Sequence, residues 1–543
     1  MPKLYQKNIQ KIQKILTLLT FTSLILPATA SNTSTGPAGI DAEKLHQEPY
    51  NLLGRKIAIG QVEIGRPARF GNDKKIPPTH GVTVSGVYQT NQTATPNLQL
   101  DAHAQNVAGV MISNDKTIKG VAPAARLYST AAVNSKSPNR QALECLASQH
   151  IAEANSNDVR AINFSFGEPL ELDSRPNAIL DGNALLTQCI DWSARVHNVL
   201  YVIAGNQGKG GIPIPTDNYN GVNIALSSLY QGIFSKVDVA NIPSSFPDYA
   251  QRLAGLEANI GPRRSISLLA PGRDIPLLNI DGTTTRNTGT SFAAPHVTAT
   301  VALLQEFGDK QLRTKQQNWS LASRQHEVMK AVLLNSADKL KDNGDGLRLG
   351  MTRTVIDKEN RDWLASDTYQ DPRLPLHSQM GTGHLNAFRA YQQFSAGQWK
   401  PTSPVPAKGW DYNTISASLS TSSSSPATNY QDYVIEKPLT AGGFVAITLA
   451  WDRLVELEDT NNNNLFEPDE GFKDRGLNNL DLYLMPVEEN DTAKNIRASQ
   501  SQVDSVEHIF FPIEKGGRYK IRVHFKQQLN EPTQPYALAW WTG

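Results

Sequence analysis

The chain has 543 residues, of which 39% are hydrophobic and 19% are charged, an ordinary composition for a globular protein. Its 52 basic and 51 acidic residues leave a formal net charge of +1, which excludes the strongly basic footprint of a nucleic-acid-binding protein. The length predicts more than one domain.

The first 30 residues have the pattern of a secretory signal peptide. Four lysines precede the apolar run Ile15–Leu26, and Ala28-Thr29-Ala30 forms a small-residue cleavage site. The run is shorter than the roughly 20 residues of a membrane span, although an uncleaved anchor is the alternative. We therefore expect a secreted or periplasmic protein with no membrane span after cleavage, in which residues 31–53 form a short N-terminal extension.

Apolar strands separated by helical stretches run from Lys56 to about Leu269. This alternation predicts an α/β fold, a doubly wound and mostly parallel sheet with helices on both faces. The two cysteines, Cys145 and Cys189, each lie in a helical stretch that precedes a strand. In an oxidising compartment they can pair, and two free buried thiols are the alternative.

A serine between a tight Gly-Thr turn and an apolar helical run is the most informative feature of the chain. Ser291 lies in Gly289-Thr290-Ser291-Phe292-Ala293-Ala294-Pro295-His296-Val297, where unpaired N–H groups at a helix start favour developing negative charge. An ordinary helix N-cap is the alternative for a lone serine. The whole nonapeptide resembles the serine motif of the subtilases, the subtilisin-like serine proteases.

This resemblance extends over roughly Gly54 to Tyr391 and implies a peptidase domain at residues 54–391. It implies a serine endopeptidase that acts on protein or peptide substrates through an acyl-enzyme. A serine nucleophile needs a base and an anion elsewhere in the chain.

The resemblance assigns the base and the anion to two further segments. His103, in Asp101-Ala102-His103-Ala104-Gln105-Asn106-Val107-Ala108-Gly109, matches the first histidine of the subtilase histidine motif, with departures at three interior positions. Glu63, at the end of an apolar strand, occupies the position of the family's aspartate. Any positioned carboxylate can accept the imidazole N–H, and glutamate does so in some hydrolase triads.

Three alternatives to a Ser-His-Glu triad stay open. Glu63 is a merely structural carboxylate while Asp101 orients the histidine, or the triad is broken. In the last case the chain is a catalytically inactive scaffold that binds peptides or surface material.

Two further motifs of the family concern the oxyanion and the substrate. Leu200 to Gly208 resembles the oxyanion motif, which implies that the Asn206 amide stabilises the tetrahedral intermediate. The stretch Ala161 to Gly167 resembles the segment that binds the substrate backbone, which assigns substrate contacts to Ser165, Phe166 and Gly167. A peptide would add there as an extra strand.

After Tyr391 the composition changes. Residues 392–428 are rich in Pro, Gly, Ser and Thr, which predicts a linker, and residues 429–543 read as strands of a small antiparallel β-sandwich. Tyr519–Lys526 alternates apolar and polar residues, so we expect one buried face and one solvated face.

Within this second domain lies a candidate calcium loop with the spacing of an EF-hand loop. Its ligands would be Asp459, Asn461, Asn463, the carbonyl of Leu465, Glu467 and Glu470. Asn464 replaces the usual glycine and tolerates the left-handed conformation. A solvated Asn-rich turn is the alternative to a structural Ca²⁺ site. We expect the protein to be a monomer.

Overall fold

The computed structural model describes residues 34–74, 76, 81–132, 140–205, 214–238, 263–417 and 428–543. The predicted signal peptide and the predicted oxyanion residue Asn206 lie outside these residues.

The α-helices of the described residues include three that frame the candidate site and several that support it. They are α1 (Glu43–His46), α2 (Ala102–Ile112), α3 (Arg140–Ala152), α4 (Leu185–His197), α5 (Thr290–Arg313), α6 (His326–Asn335), α7 (Asp367–Gln370) and α8 (Ala387–Phe394).

Ten strands form the sheet of the first domain, in the order β12-β8-β7-β6-β5-β1-β4-β2-β3 with β9 also beside β7. They are β1 (Ala58–Glu63), β2 (Gly86–Gln89), β3 (Gln92–Thr93), β4 (Arg126–Ala131), β5 (Val159–Phe164), β6 (Leu200–Ala204), β7 (Val222–Tyr230), β8 (Ile233–Lys236), β9 (Leu268–Pro271) and β12 (Thr354–Ile356). The pairs β2–β3 and β7–β8 are antiparallel and the other pairs are parallel. The predicted mostly parallel α/β sheet is confirmed. A separate hairpin pairs β10 (Ile275–Leu278) with β11 (Thr284–Asn287).

Helices cover both faces of this sheet, as its apolar strands require. On one face, Val107 of α2 and Val297 of α5 pack in a core with Ile59 of β1. On the other face, Ile151 of α3 and Ile190 of α4 share a second core with the opposite side chains of the strands. Each such buried side chain contributes about 1.5–3 kcal/mol, so both helical layers are held by the sheet.

The segment before β1 is part of the first domain's core. Ile40, Ala42 and Leu45 are fully buried, and the Ala387 N–H of α8 donates to the Ile40 carbonyl at 2.7 Å. Glu306 of α5 accepts the backbone N–H groups of residues 53–55, which fixes the chain immediately before β1.

The second domain is a sandwich of two four-stranded antiparallel sheets, with orders β13-β22-β15-β20 and β14-β21-β18-β19. Its strands are β13 (Lys408–Ser416), β14 (Tyr430–Val434), β15 (Phe444–Trp451), β18 (Asn479–Pro486), β19 (Arg497–Ser499), β20 (Val506–Pro512), β21 (Tyr519–Gln527) and β22 (Thr533–Thr542). A hairpin of β16 (Leu454–Leu457) and β17 (Phe472–Gly476) extends from it. The predicted all-β sandwich is confirmed.

Two details of this domain differ from the sequence prediction. The predicted linker 392–428 contains β13, which pairs along its whole length with β22, so the linker prediction is wrong for residues 408–416. Composition hid this strand, because its partner lies more than a hundred residues away. Residues 418–427 of the linker lie outside the described residues.

The polar face of Tyr519–Lys526 is also not solvated as predicted. Lys520 and Arg522 are buried, because both pair with Asp432 of the neighbouring strand β14, at 3.0 and 2.7 Å. A paired charge can be buried at the cost of its hydration, whereas an isolated charge cannot.

Cys145 and Cys189 form a disulfide that joins α3 to α4. Among the residues that the structure describes, no helix combines the length and the apolar character that a membrane crossing requires.

Candidate active site

Ser291 begins the buried helix α5 and is held at the end of the central strands. The Gly289 N–H donates to Gly272 at 2.9 Å, and the Thr290 hydroxyl donates to the Gly205 carbonyl at 2.7 Å. The Ser291 hydroxyl donates to the Ser165 carbonyl at 3.1 Å, and the Ser165 hydroxyl donates back to the Ser291 carbonyl at 3.0 Å. These bonds fix the start of α5 against the ends of β5 and β6.

Glu63 and His103 are brought together at the end of β1. The Nδ1 atom of His103 lies 3.3 Å from Oε2 of Glu63, whose side chain is 2% exposed. Asp101 has a different local role, because its Oδ1 accepts the Ala104 N–H at 2.7 Å and caps α2. The nearest carboxylate contact of the imidazole is therefore with Glu63.

The electrostatics of this contact favour the protonated imidazole. Burial lowers the pKa of His103, but the charge of Glu63, its hydrogen bond and the charge of Asp101 together raise it above the usual value. An imidazolium is thus stabilised here, as a base that accepts a proton from an alcohol requires.

His103 and Ser291 lie on adjoining helices. The His103 ring packs 5.5 Å from the ring of Phe292, the residue after the serine. The hydroxyl of Ser291 donates to Ser165, so proton transfer requires it to turn towards the imidazole. Catalytic hydrogen bonds often tighten only when substrate is bound.

Sequence reasoning missed three polar side chains that hold the histidine helix. The Gln61 amide donates to the Ala104 carbonyl at 2.9 Å, Gln105 accepts the Ala68 N–H at 3.1 Å, and the Asn106 amide donates to the Leu278 carbonyl at 2.9 Å. Their signal was visible, since polar residues interrupt an apolar strand and an apolar helix face. Their partners were not predictable from local pattern.

The predicted substrate-binding residues follow β5 directly. Phe166 stacks on Phe164 with ring centroids 4.3 Å apart, and Ser165 is tied to Ser291 as described. Beyond Gly167, Glu168 pairs with Ile214: its N–H donates to the Ile214 carbonyl at 2.8 Å and its carbonyl accepts at 3.1 Å. The substrate-binding segment is therefore continued by a backbone bridge to residue 214.

Glu168 also belongs to a buried charge cluster that sequence reasoning did not predict. Arg140 of α3 lies 2.6 Å from its carboxylate, and Glu144 is buried beside it. Burial and the neighbouring Glu168 raise the pKa of Glu144 well above its usual value. Two carboxyl groups face one guanidinium, so a proton is retained between them.

The predicted calcium ligands lie in one loop between β16 and β17. Asp459 accepts the backbone N–H groups of Asn462 at 2.6 Å and Asn464 at 2.7 Å, and Asn464 has the expected left-handed φ of 61°. Glu470 closes the loop by accepting the Thr460 N–H at 2.8 Å.

The loop is anchored on the first domain by Phe466. This side chain is fully buried beside the disulfide, and the Phe466 N–H donates to Gln149 of α3 at 2.7 Å.

A second group of possible metal ligands was not predicted. Within the described parts of the chain, His326, Glu327 and Asp452 are the one group whose ligand atoms lie within 4.8 Å of one another. The carboxylates face opposite ring nitrogens, Glu327 at 3.2 Å from Nδ1 and Asp452 at 3.0 Å from Nε2. This geometry suits an imidazolium between two acids better than a metal ion.

Comparison with known proteins gives one family and a set of relatives. The family model described as the subtilase family matches residues 61–351. The chain is 29% identical to Subtilisin BL of Lederbergia lenta over 209 residues, which is 38% of this chain and 64% of that protein. It is 24% identical to Subtilisin DY of Bacillus licheniformis over 273 residues, 49% of this chain and 81% of that protein.

The match to the first of these relatives spans less than two thirds of their length, 45% for the alkaline protease of Shouchella clausii. Among solved structures, the chain is similar to the prenylagaramide maturation protease PagA, with 20% identity and a TM-score of 0.41. That similarity covers 66% of this chain and 99% of PagA.

Proposed function

We propose that this chain, which belongs to the subtilase family, is a serine endopeptidase that hydrolyses protein or peptide substrates through an acyl-enzyme. The observation that carries the proposal is the 3.3 Å contact of His103 with the buried Glu63. It lies beside a helix that starts at Ser291, in the order expected of the family.

Each residue of the proposed triad has one role. The hydroxyl of Ser291 attacks the peptide carbonyl, while His103 takes the proton and returns it to the leaving amine. Glu63 accepts the Nδ1–H of His103, which fixes the tautomer and stabilises the imidazolium. Asn206 and the backbone N–H of Ser291 would hold the oxyanion of the tetrahedral intermediate.

Glutamate in place of aspartate is compatible with this role. The extra methylene moves the carboxylate about one bond length further from the strand, and the close contact with Nδ1 supports accommodation by the surrounding side chains. The tie of Gln61 to α2 supports the same view, because it fixes the spacing between strand and histidine helix.

A fluorophosphonate probe tests the proposal directly. The wild-type protein should be labelled and should cleave an unfolded protein such as reduced casein, and Ser291→Ala should lose both activities. Ser320→Ala, a serine outside the site, serves as the matched control. A folded wild-type protein that is not labelled would support the inactive binding scaffold instead.

We further propose that the protein works outside the cytoplasm as a monomer. The lysine-rich start followed by an apolar run supports export, and so does the disulfide, since disulfides persist in oxidising compartments. Mass spectrometry of the exported protein should find an N-terminus at Ser31, and sedimentation should give the mass of one chain.

A structural Ca²⁺ ion in the loop 459–470 is the remaining part of the proposal. The donor set fits a hard cation, because it offers carboxylate, amide and carbonyl oxygens: Asp459, Asn461, Asn463, Leu465, Glu467 and Glu470. The ion would rigidify the loop that carries Phe466 and would take no part in the chemistry.

Calorimetric titration should detect Ca²⁺ binding to the purified protein, with a rise in Tm that Glu470→Gln abolishes. Glu489→Gln, an exposed acid in the same domain, should leave binding unchanged. No binding heat and no shift in Tm at millimolar Ca²⁺ would identify a plain Asn-rich turn.

A further inference from the structure

We propose that the C-terminal β-sandwich positions the substrate-binding segment Ser165–Gly167 through a clamp on residues 214–221. This inference rests on the proposed peptidase function and assigns Asn220, Arg453 and Ser505 as positioning residues. None of the three lies in the proposed triad.

The centre of the clamp is a reciprocal pair between the two domains. The Arg453 N–H donates to Oδ1 of Asn220 at 2.8 Å, and Nδ2 of Asn220 donates to the Arg453 carbonyl at 3.0 Å. Both side chains are buried, and the Arg453 guanidinium lies 4.9 Å from the ring centroid of Tyr219. The turn between β15 and β16 is therefore locked onto residues 219–220.

Further bonds hold the backbone of the same residues from both domains. The Tyr219 carbonyl accepts the Ser505 hydroxyl at 2.7 Å and the Lys330 ammonium at 2.6 Å. Asp191 of α4 accepts the N–H groups of Tyr219 and Asn220, both at 2.9 Å. Every one of these donors and acceptors comes from an element outside the segment, so its position depends on how the two domains dock.

The segment transmits this position because its own side chains cross-link it. The Asn218 amide donates to the Pro215 carbonyl at 2.7 Å and its oxygen accepts the Gly221 N–H at 3.0 Å. The Asn223 amide donates to the Thr216 carbonyl at 2.7 Å. Buried polar networks of this kind behave as a unit, since each unmade bond leaves a desolvated group.

The far end of the segment is the bridge to the substrate edge. Ile214 exchanges two backbone hydrogen bonds with Glu168, the residue after Gly167. A peptide that binds as an added strand needs the donors and acceptors of this edge at fixed spacing. Loosening residues 214–221 should therefore weaken binding of extended peptides without altering the nucleophile.

The full chain carrying Asn220→Ala or Arg453→Met tests the inference. The KM for a peptide of about eight residues should rise about tenfold, the equivalent of one or two net hydrogen bonds, with kcat changed less than twofold. The rate of labelling by a small fluorophosphonate should stay within twofold of wild type, because that probe does not use the edge. Arg453→Lys should partly restore the KM.

Arg522→Met is the matched control. Arg522 is an equally buried arginine of the same domain, and it pairs with Asp432 away from the clamp. This variant should lower Tm and leave KM unchanged. If Arg453→Met does not fold, Ser505→Ala removes one bond to Tyr219 and should still raise KM.

A folded Asn220→Ala protein with wild-type KM would overturn the inference, as would an equal rise in KM for Arg522→Met. Failure of the wild-type protein to react with the probe would overturn the proposed function instead. The two failures are therefore distinguishable.

Discussion

At the scale of single residues, the proposed chemistry depends on how Glu63 treats the imidazole. The carboxylate is almost fully buried and one of its oxygens, Oε1, has no hydrogen-bond partner among the described residues. Its attraction for the imidazolium is therefore little weakened by solvent. This explains why the pKa of His103 is raised in spite of burial.

This shift predicts the pH dependence of the proposed activity. The base must be neutral, so kcat/KM should fall as pH drops through the raised pKa of His103, giving an acidic limb above pH 6.5. In Glu63→Gln the neutral amide no longer favours the imidazolium, so the limb should move to lower pH while the maximal rate falls.

Rate profiles from pH 4 to pH 9 measure both effects. Asp101→Asn is the control, because Asp101 acts on His103 only through a smaller charge effect and should shift the limb less. An equal or larger shift in the control would support Asp101 as the residue that orients the histidine.

At the scale of elements, the disulfide joins two helices that cover the same face of the sheet. α3 and α4 bear Cys145 and Cys189, and the loop that docks Phe466 packs beside them. The crosslink closes a loop of 44 residues, which restricts the unfolded chain more than the folded one.

Replacing both cysteines with alanine should lower the free energy of unfolding by about 2–4 kcal/mol. Chemical denaturation without reductant measures this loss, and reduced wild-type protein should resemble the variant. Equal stability of the oxidised wild type and the variant would contradict the prediction.

At the scale of the whole molecule, the two domains meet along α6 with charged groups inside the interface. Burial lowers the pKa of His326, but the charges of Asp452 and Glu327 raise it to about 9. Lys330 on the same helix has a pKa lowered by burial to about 8, and Tyr412 donates to Glu327 at 3.4 Å. The sandwich is therefore docked partly through a buried imidazolium.

This docking predicts a pH-dependent contribution to stability. A folded pKa of about 9 lies above the unfolded value of 6.5, so the contribution is complete below pH 6.5 and disappears as pH rises through 9. The stability difference between wild type and His326→Gln should thus be on the order of 3 kcal/mol at pH 6 and shrink by pH 10.

The difference between the two proteins is the informative quantity, because Lys330 titrates in the same range with the opposite sign and is present in both. Denaturation curves at pH 6, 8 and 10 measure it. A difference that stays constant over this range would show that His326 is neutral in the folded protein.

Local pattern was sufficient for the fold class, the sheet of the first domain and most strands of the sandwich. β15 was predicted with the same ends, Phe444 and Trp451, since period-two alternation is written in contiguous residues. Short motifs also indicated Glu63, His103 and Ser291 as candidates, because each marks the end of a strand or the start of a helix.

The tertiary structure alone decided which of these groups meet. The pairing of Cys145 with Cys189, the burial of Arg522 against Asp432 and the lock of Asn220 on Arg453 join residues far apart in the chain, 233 positions in the last case. A buried polar side chain is defined by the partner that satisfies it, and no periodicity specifies a distant partner. Packing of the two domains supplies that partner only after both have folded.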